Sequence, residues 1–138
     1  MTLKVVEKAV YELLKGLANG QVYVVIAPQN VSGDFITFHR VDSDRIRSIN
    51  GPSGLSEVYI RVDCYSETYY GMKALASQAE EILDGYKGSV PYGDDSPQDI
   101  IKIGGISLQN DVDLLEQTQE PFLHRNTASY YIIYNNKD

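Results

Sequence analysis

The feature that most constrains the fold is the segment Glu57–Tyr65, in which apolar and polar side chains alternate without a break. Successive side chains of a β-strand point to opposite faces of its sheet, so alternating positions share a face. The apolar positions are Val58, Ile60, Val62 and Cys64. The positions between them are Glu57, Tyr59, Arg61, Asp63 and Tyr65. The pattern predicts a strand with one face in the core and the other in water or shared with a partner.

The amino-terminal part of the chain has the apolar spacing of an amphipathic helix. Thr2 is its predicted cap, and Asn19–Gly20 supply a left-handed stop. The apolar stripe comprises Leu3, Val6, Val10, Leu13, Leu14 and Leu17. Such a helix needs a partner that covers the stripe.

A second helix is predicted directly after the alternating strand. It runs from about Thr68 to Asp84, with Ser66 or Thr68 as its cap and Gly85 as its stop. Its apolar stripe comprises Met72, Leu75, Ala76, Ala79, Ile82 and Leu83. We expect this helix to pack on the strand face that carries Cys64.

Runs of β-branched and aromatic residues indicate further strands. "QVYVVIA" (21–27) and "DFITFHRV" (34–41) are predicted to be neighbouring strands joined by a turn over 28–33. "IIKIGGISLQND", "VDLLEQT" and "ASYYIIYNN" supply two or three more. Helices set apart from runs of strands favour an α+β fold, a mixed and mostly antiparallel sheet with two amphipathic helices packed on one side.

The chain has the size and composition of one domain. Its 138 residues, 43% of them hydrophobic, can bury most of their surface around one core. We therefore predict a single domain over 1–138. The segment from Gly85 to Asp99 is rich in Gly, Pro, Ser and Asp, and we interpret 86–99 as a flexible loop kept for a use.

Charge and hydropathy exclude several classes of protein. The net charge is −7 and the 12 Lys and Arg residues are scattered, which argues against a surface that grips nucleic acid. An acidic lining that DNA passes without binding stays open. No window has the roughly 18 apolar residues of a membrane span, and charges interrupt "MTLKVVEKAV" where a signal peptide needs its apolar run. We expect a soluble protein inside the cell that makes it.

Residues suited to chemistry do not form a recognisable site. Cys64 could be approached by His39 on the neighbouring strand, but its register with three apolar positions favours a buried packing role. The acidic pairs are Asp42/Asp44, Asp94/Asp95 and Asp111/Asp113. They lie outside any EF-hand spacing, and turns or solvation explain them better. We predict no catalytic, metal or cofactor site.

The segment "NGPSG", from Asn50 to Gly54, is predicted to be a bend that leads into the alternating strand. It lacks the Gly-Lys-Ser/Thr ending of a phosphate-binding loop and precedes a strand rather than a helix. Its glycines permit positive φ, and Pro52 fixes its own φ. Arg45 and Arg47 stand just before it, either to pair with carboxylates of a partner or neighbouring copy, or simply solvated.

The segment from Phe35 to Gly85 resembles the tail-completion, or tail-terminator, proteins of long-tailed bacteriophages and prophages. The resemblance lies in "FITFHRV", in the "GPSGL" turn, in "YIRVDCY" and in a helix that closes on "LDG". The "GGI" segment and a closing strand match in order and length. The segment 86–99 and "DVDLLEQTQEP" depart from the family pattern.

The resemblance implies a structural virion protein without chemistry of its own. Such proteins form a ring, usually of six copies, that caps the tail tube, ends tail polymerisation and offers the face that joins the head. The implied partners are other copies, the major tail-tube protein and a head-completion or stopper protein, with DNA passing through. The implied location is the head–tail junction of the virion, after assembly in the host cytoplasm.

Candidate contacts with the tube or with other copies follow from these interpretations. They are Arg45, Arg47, Asn50, Gly51, Pro52, Ser53, Gly54, Tyr59, Arg61, Asp94 and Asp95. Eleven tyrosines without any tryptophan fit an interface protein, because Tyr combines apolar area with a polar tip. Another connector or tail-tube ring protein is the alternative, and a small ligand-binding domain or cysteine enzyme is the less favoured one.

Overall fold

The computed structural model describes residues 6–27, 31–48, 51–92, 99–117 and 122–135; at 42–48, 51–54, 92, 99, 116 and 117 only the backbone is described. The elements in chain order are α1 (Val6–Leu14), a short 3-10 turn (Ala18–Gly20), β1 (Val22–Val24), β2 (Phe35–Ser48), β3 (Gly51–Ser66), α2 (Tyr69–Leu83), β4 (Gly88–Tyr92), β5 (Asp99–Gln117) and β6 (Leu123–Asn135). Neither described α-helix is long and apolar enough to cross a membrane.

The strands form one six-stranded sheet in the order β1-β2-β3-β6-β5-β4. Every pair is antiparallel except β1 with β2, which is parallel. The predicted α+β class, with a mixed and mostly antiparallel sheet, is therefore confirmed.

Both helices pack against one face of the sheet, which we call the inner face. α2 contacts β3, β5 and β6, whereas α1 contacts the two edge strands, β1 and β4. Because one helix touches both edges, the sheet curls around the helices. Apolar residues of both predicted stripes join the strands in one buried cluster.

The alternating strand is confirmed as the centre of this core. Val58, Ile60, Val62 and Cys64 are each at most 1% exposed. They pair across β2 with Ile36 and Phe38, and across β6 with Ala128, Tyr130 and Ile132. The opposite face of the sheet, which we call the outer face, carries the polar positions of β3.

Local contacts explain why α2 begins and ends where predicted. The Thr68 hydroxyl accepts a hydrogen bond from the Gly71 amide at 3.0 Å. A Cβ on Gly71 would lie 2.5 Å from the Ser66 hydroxyl, so the first turn needs glycine. Gly85 ends the helix with φ +82°. Its amide donates a hydrogen bond to the Ile106 carbonyl at 2.8 Å.

The first strand is shorter than predicted. β1 spans Val22–Val24 within the predicted 21–27, and it pairs with β2 as expected, but in parallel. Two parallel strands need a connection that returns the chain to the end of the sheet where the first strand began. The residues after Val24 belong to that connection, so β1 is short. The departure occurs at Val25, whose φ of 71° is left-handed.

Two segments expected to be irregular are partly strand. Gly88–Tyr92, within the predicted 86–99 loop, pairs with Asp99–Ile103 as β4. Val90 is 4% exposed and joins the core, which explains the pairing. Residues 93–98 lie outside the described residues.

Most of the predicted "NGPSG" bend is likewise part of a strand. β3 begins at Gly51, which pairs with Ser48, so 51–54 belong to a strand of a long hairpin. Residues 49 and 50, including the predicted contact Asn50, lie outside the described residues. Pro52 is accommodated opposite Arg47, next to a register shift between Arg45 and Arg47.

Candidate functional site

The register of β2 and β3 separates the residues of the cysteine hypothesis. Cys64 pairs with Ile36 and faces the helices, whereas His39 pairs with Arg61 on the outer face. Burial, and secondarily the nearby Asp63 carboxylate, raises the pKa of the Cys64 thiol to about 12. The approach of His39 to Cys64 was therefore wrong, and Cys64 packs as a small apolar residue, as predicted.

The acidic pair on β5 holds two elements together. Asn126 Nδ2 donates to Asp113 Oδ1 at 2.7 Å and to Asp111 Oδ2 at 3.1 Å. Asp113 Oδ2 accepts from Lys73 at 3.1 Å and from the Tyr69 hydroxyl at 3.2 Å. These bonds, led by that from Asn126, hold the pKa of Asp113 below its usual value. The pair therefore fastens the first half of α2 to the β5–β6 hairpin.

No group of three or more His, Cys, Asp or Glu side chains suited to a metal ion occurs in the described part of the chain. Of the other two acidic pairs, Asp94 and Asp95 lie outside the described residues, and the side chains of Asp42 and Asp44 are not described. The candidate site must therefore be built from surfaces rather than from a reactive cluster.

The outer face carries a hydrogen-bonded network between β3 and β6. The Thr127 hydroxyl donates to Asp63 Oδ1 at 2.6 Å. Arg125 Nε donates to Thr127 Oγ1 at 2.8 Å and lies 3.5 Å from Asp63 Oδ1. Asp63 is only 5% exposed, although this face has no helix packed on it in the described structure. Its burial is tolerated because the carboxylate is both hydrogen-bonded and paired.

Aromatic rings cover the end of this network nearest the start of α2. The Phe35 and Tyr65 rings stack with centroids 4.4 Å apart, and the Arg125 guanidinium carbon lies 6.0 Å from the Tyr65 centroid. Burial, followed by the Asp63 charge, raises the pKa of Tyr65. Tyr65 stands two residues after Asp63 on the same face of β3, so the stacked rings border the Asp63 network.

Predicted contact residues Tyr59 and Arg61 lie on the same outer face. The Tyr59 and Tyr131 rings are 5.3 Å apart, and the Tyr131 hydroxyl donates a short hydrogen bond to the Glu57 carboxylate. Burial and that bond raise the pKa of Tyr131 to about 12. Arg61 Nε is buried without a hydrogen-bond partner in the described part of the molecule. This end of the face therefore displays tyrosines and an arginine, the side chains enriched at protein interfaces.

The backbone of the predicted contacts Arg45, Arg47 and 51–54 lies at one end of the sheet, whereas Asn50, Asp94 and Asp95 lie outside the described residues. Pairing of β3 with β6 begins at Leu55 and Asn135, so 51–54 and their β2 partners Arg45 and Arg47 extend beyond it. β5 likewise passes the Tyr134–Ile103 pair to reach the β4–β5 hairpin, which closes at Tyr92 and Asp99. Two hairpins, on either side of β6, thus project in the same direction. We call this the hairpin end.

Sequence reasoning missed the β6 half of the outer face. Thr127, Arg125 and Tyr131 were not singled out, because their hydrogen-bonding and ion-pair partners on β3 lie 62 to 74 positions away in the chain. The available signal was the burial alternation along β6, in which every second residue from Asn126 to Tyr134 is buried. In the sequence, a run of consecutive apolar residues conceals that alternation.

Comparisons with known proteins identify the fold. No family model matches the sequence. No curated protein matches it either. Among solved structures, the chain is similar to one in the structure described as "Virion of native gene transfer agent (GTA) particle", with 12% identity over 91% of each chain and a TM-score of 0.65. A likeness at this identity demonstrates a shared fold over nearly the whole of both chains.

Proposed function

We propose that the protein is a structural subunit of a phage-like particle, and that several copies form the ring that terminates its tail tube. The observation that carries the proposal is the fold shared, over 91% of both chains, with a chain of a gene transfer agent virion. The sequence resemblance of 35–85 to tail-terminator proteins supports the same proposal independently of the fold.

The hairpin end suits a capping subunit. A cap must cover the growing end of a tube and present a face that accepts no further tube subunit. The β2–β3 and β4–β5 hairpins supply two extensions from one rigid sheet, and the predicted contacts Arg45, Arg47 and 51–54 lie on the first. Asp94 and Asp95 belong to the segment that joins the strands of the second.

Charge supports passage of DNA through such a ring. The chain carries a net charge of −7. An acidic protein lacks the counterion release that holds DNA on basic surfaces, so DNA slides past it. The proposed partners are further copies of this chain in a six-membered ring, as the family resemblance implies. A tail-tube subunit and a head-completion protein at the head–tail junction complete the set.

Another ring protein of the same junction is the second candidate. The virion likeness supports it as well, because a shared fold does not distinguish one position in a particle from another. Deleting the gene separates the two. Loss of a terminator gives abnormally long tails without heads, whereas loss of a stopper gives filled heads that leak DNA. Normal particles from the deletion strain would contradict both candidates.

Complementation of the deletion tests the hairpin end directly. Arg45→Glu with Arg47→Glu reverses charge on the β2–β3 hairpin. Lys8→Glu with Lys15→Glu makes the same charge change at exposed positions on and just after α1, outside both hairpins. We expect the first double variant to fold with an unchanged thermal midpoint and to leave tails unterminated. The second should restore normal tails. Equal complementation by both would remove Arg45 and Arg47 from the proposed contact.

A further inference from the structure

The distal part of β5 is an open sheet edge. β5 spans 19 residues, and on the side away from β6 it pairs with β4 only at Asp99–Ile103. The Gly85 amide donates a hydrogen bond to the Ile106 carbonyl, and the Ile106 amide donates one to the Tyr86 carbonyl. Asp84 Oδ1 accepts a hydrogen bond from the Leu108 amide at 2.9 Å. From Gln109 to Gln117 no described backbone group pairs on that side. Unpaired strand edges are templates for another strand.

Exposed apolar side chains lie on the last part of β5 and just before β6, at the end of the sheet opposite the hairpin end, and we call them the hairpin patch. The patch consists of Val112, Leu114, Leu115 and Phe122, each between 42% and 52% exposed. Val112 and Leu114 pair with Thr127 and Arg125 on the outer face. The edge therefore offers backbone hydrogen bonds and apolar contact together, the combination used in strand addition.

A second apolar group stands at the opposite edge of the sheet, and we call it the β1 patch. Val24, Val25 and Ile26 are 46%, 66% and 77% exposed. β1 is the edge strand of the sheet on that side. In the strand order, β2, β3 and β6 lie between the two patches.

The backbone at the β1 patch is held in a strained conformation by hydrogen bonds. Val25 has φ 71°, a region that is sterically disfavoured for a β-branched residue. Its amide bonds the Phe38 carbonyl at 2.8 Å, and the Ile26 amide bonds the Val24 carbonyl at 2.8 Å. These bonds hold two large apolar side chains outward at an energetic cost that a contact in the assembled state would offset.

β4, the terminal strand on the other side of the sheet, is poorly suited to pairing with a further strand. β4 carries Pro91, which has no amide hydrogen to donate. β1 and the distal part of β5 contain no proline. Of the edges in the described structure, these two are therefore the ones that can accept a strand on both backbone and apolar grounds.

We propose that neighbouring copies of this chain join edge to edge, with the β1 patch of one copy on the hairpin patch of the next. The inference rests on the proposed ring function, because a contact between two different surfaces generates rings, whereas one surface pairing with itself stops at a dimer. Complementarity within the chain identifies the occupant. Each copy carries both an open apolar edge and its counterpart, on opposite sides of one sheet.

Cysteine crosslinking between copies tests the pairing. Val24→Cys and Val112→Cys are made as separate full-length proteins, mixed at the highest concentration they tolerate, and treated with a short bis-maleimide. Native Cys64 is 1% exposed and stays unlabelled. The matched control replaces Val112→Cys by Ser77→Cys, an exposed position on α2. We expect crosslinked dimers from the first mixture and none from the control.

Each outcome bears on a different claim. Dimers within either single variant alone would indicate self-pairing of one edge and overturn the inference. Multi-copy rings by native mass measurement, without the Val24–Val112 crosslink, would overturn it and leave the proposed function standing. Protein that stays monomeric and uncrosslinked also overturns it, and the deletion strain then decides the proposed function separately.

The Val25→Asn variant gives an independent test, because it should stabilise the monomer and weaken its assembly. Asn tolerates the left-handed region, so we expect the thermal midpoint of the monomer to rise. Loss of the apolar side chain should raise the concentration at half assembly by roughly tenfold. A variant that is stabilised and assembles as well as the parent protein would remove the β1 patch from the interface.

Discussion

The two faces of β3 are buried by different means. On the inner face, Val58, Ile60 and Val62 are at most 1% exposed beneath the helices. On the outer face, Asp63 is 5% exposed without a helix above it. There, the side chains of β2 and β6 supply both the hydrogen bonds and the cover.

This difference separates stability from surface function. The inner face is stabilised by apolar transfer and packing, which do not depend on direction. The outer face depends on a few directed bonds between residues far apart in the sequence. Changes on the inner face should therefore affect folding most, whereas the outer face can change its tyrosines and arginines at smaller cost.

Truncation of Phe38 is the strongest test of the inner face. Phe38 is fully buried on β2, opposite Val62. Phe38→Ala should lower the free energy of unfolding by about 3–5 kcal/mol, because the cavity adds to the lost transfer energy. Urea denaturation followed by circular dichroism measures it.

Val41 on the same strand provides the matched control. It is apolar but 52% exposed, so Val41→Ala should change the free energy of unfolding by less than about 0.5 kcal/mol. Equal costs for the two variants would contradict the assignment of Phe38 to the core face.

Removal of the Asp63 carboxylate is the next largest perturbation. Asp63→Ala deprives the Thr127 hydroxyl of its acceptor and Arg125 of its nearby charge. We expect a loss of about 1–3 kcal/mol in the free energy of unfolding. A double-mutant cycle with Thr127→Val measures the coupling between the two side chains. Additive effects would mean that the short contact contributes nothing to stability.

The inner face could be predicted from sequence because its signal is local. The period of the strand and the stripe of α2 each lie within one short segment, and capping by Thr68 is a contact within one turn. β4 was missed because its pairing depends on Val90 reaching a core formed by distant residues. Nothing within 86–99 indicates that core.

The tyrosines illustrate the same limit. Their number suggested an interface, yet Tyr130 and Tyr134 are 2% and 7% exposed and belong to the core. Burial raises the pKa of Tyr130 to well above its usual value. Consecutive tyrosines on β6 face opposite ways, and only the register with β3 assigns each one to a face. The outer-face network required that register as well.

Removing the Tyr131 hydroxyl should have a smaller effect than either change above. Tyr131→Phe keeps the ring against Tyr59 and deletes only the bond to Glu57. We expect a loss of about 0.5–1.5 kcal/mol in the free energy of unfolding. Tyr70→Phe serves as the control, since Tyr70 is 83% exposed. A larger cost at Tyr70 would contradict the role given to the Tyr131 hydroxyl.

The smallest effect is expected at Asp113, where the outcome depends on pH. Its folded-state pKa is lowered, chiefly by the Asn126 bond, so the stabilisation is present above the ordinary value of 3.8 and is lost as pH falls through the folded value. Asp113→Asn should therefore cost up to about 1 kcal/mol near neutral pH, as partly exposed pairs do, and less near pH 3. Urea midpoints of both proteins at the two pH values measure the difference. A cost that persists unchanged in acid would mean that packing, rather than the carboxylate charge, fastens α2 to the β5–β6 hairpin.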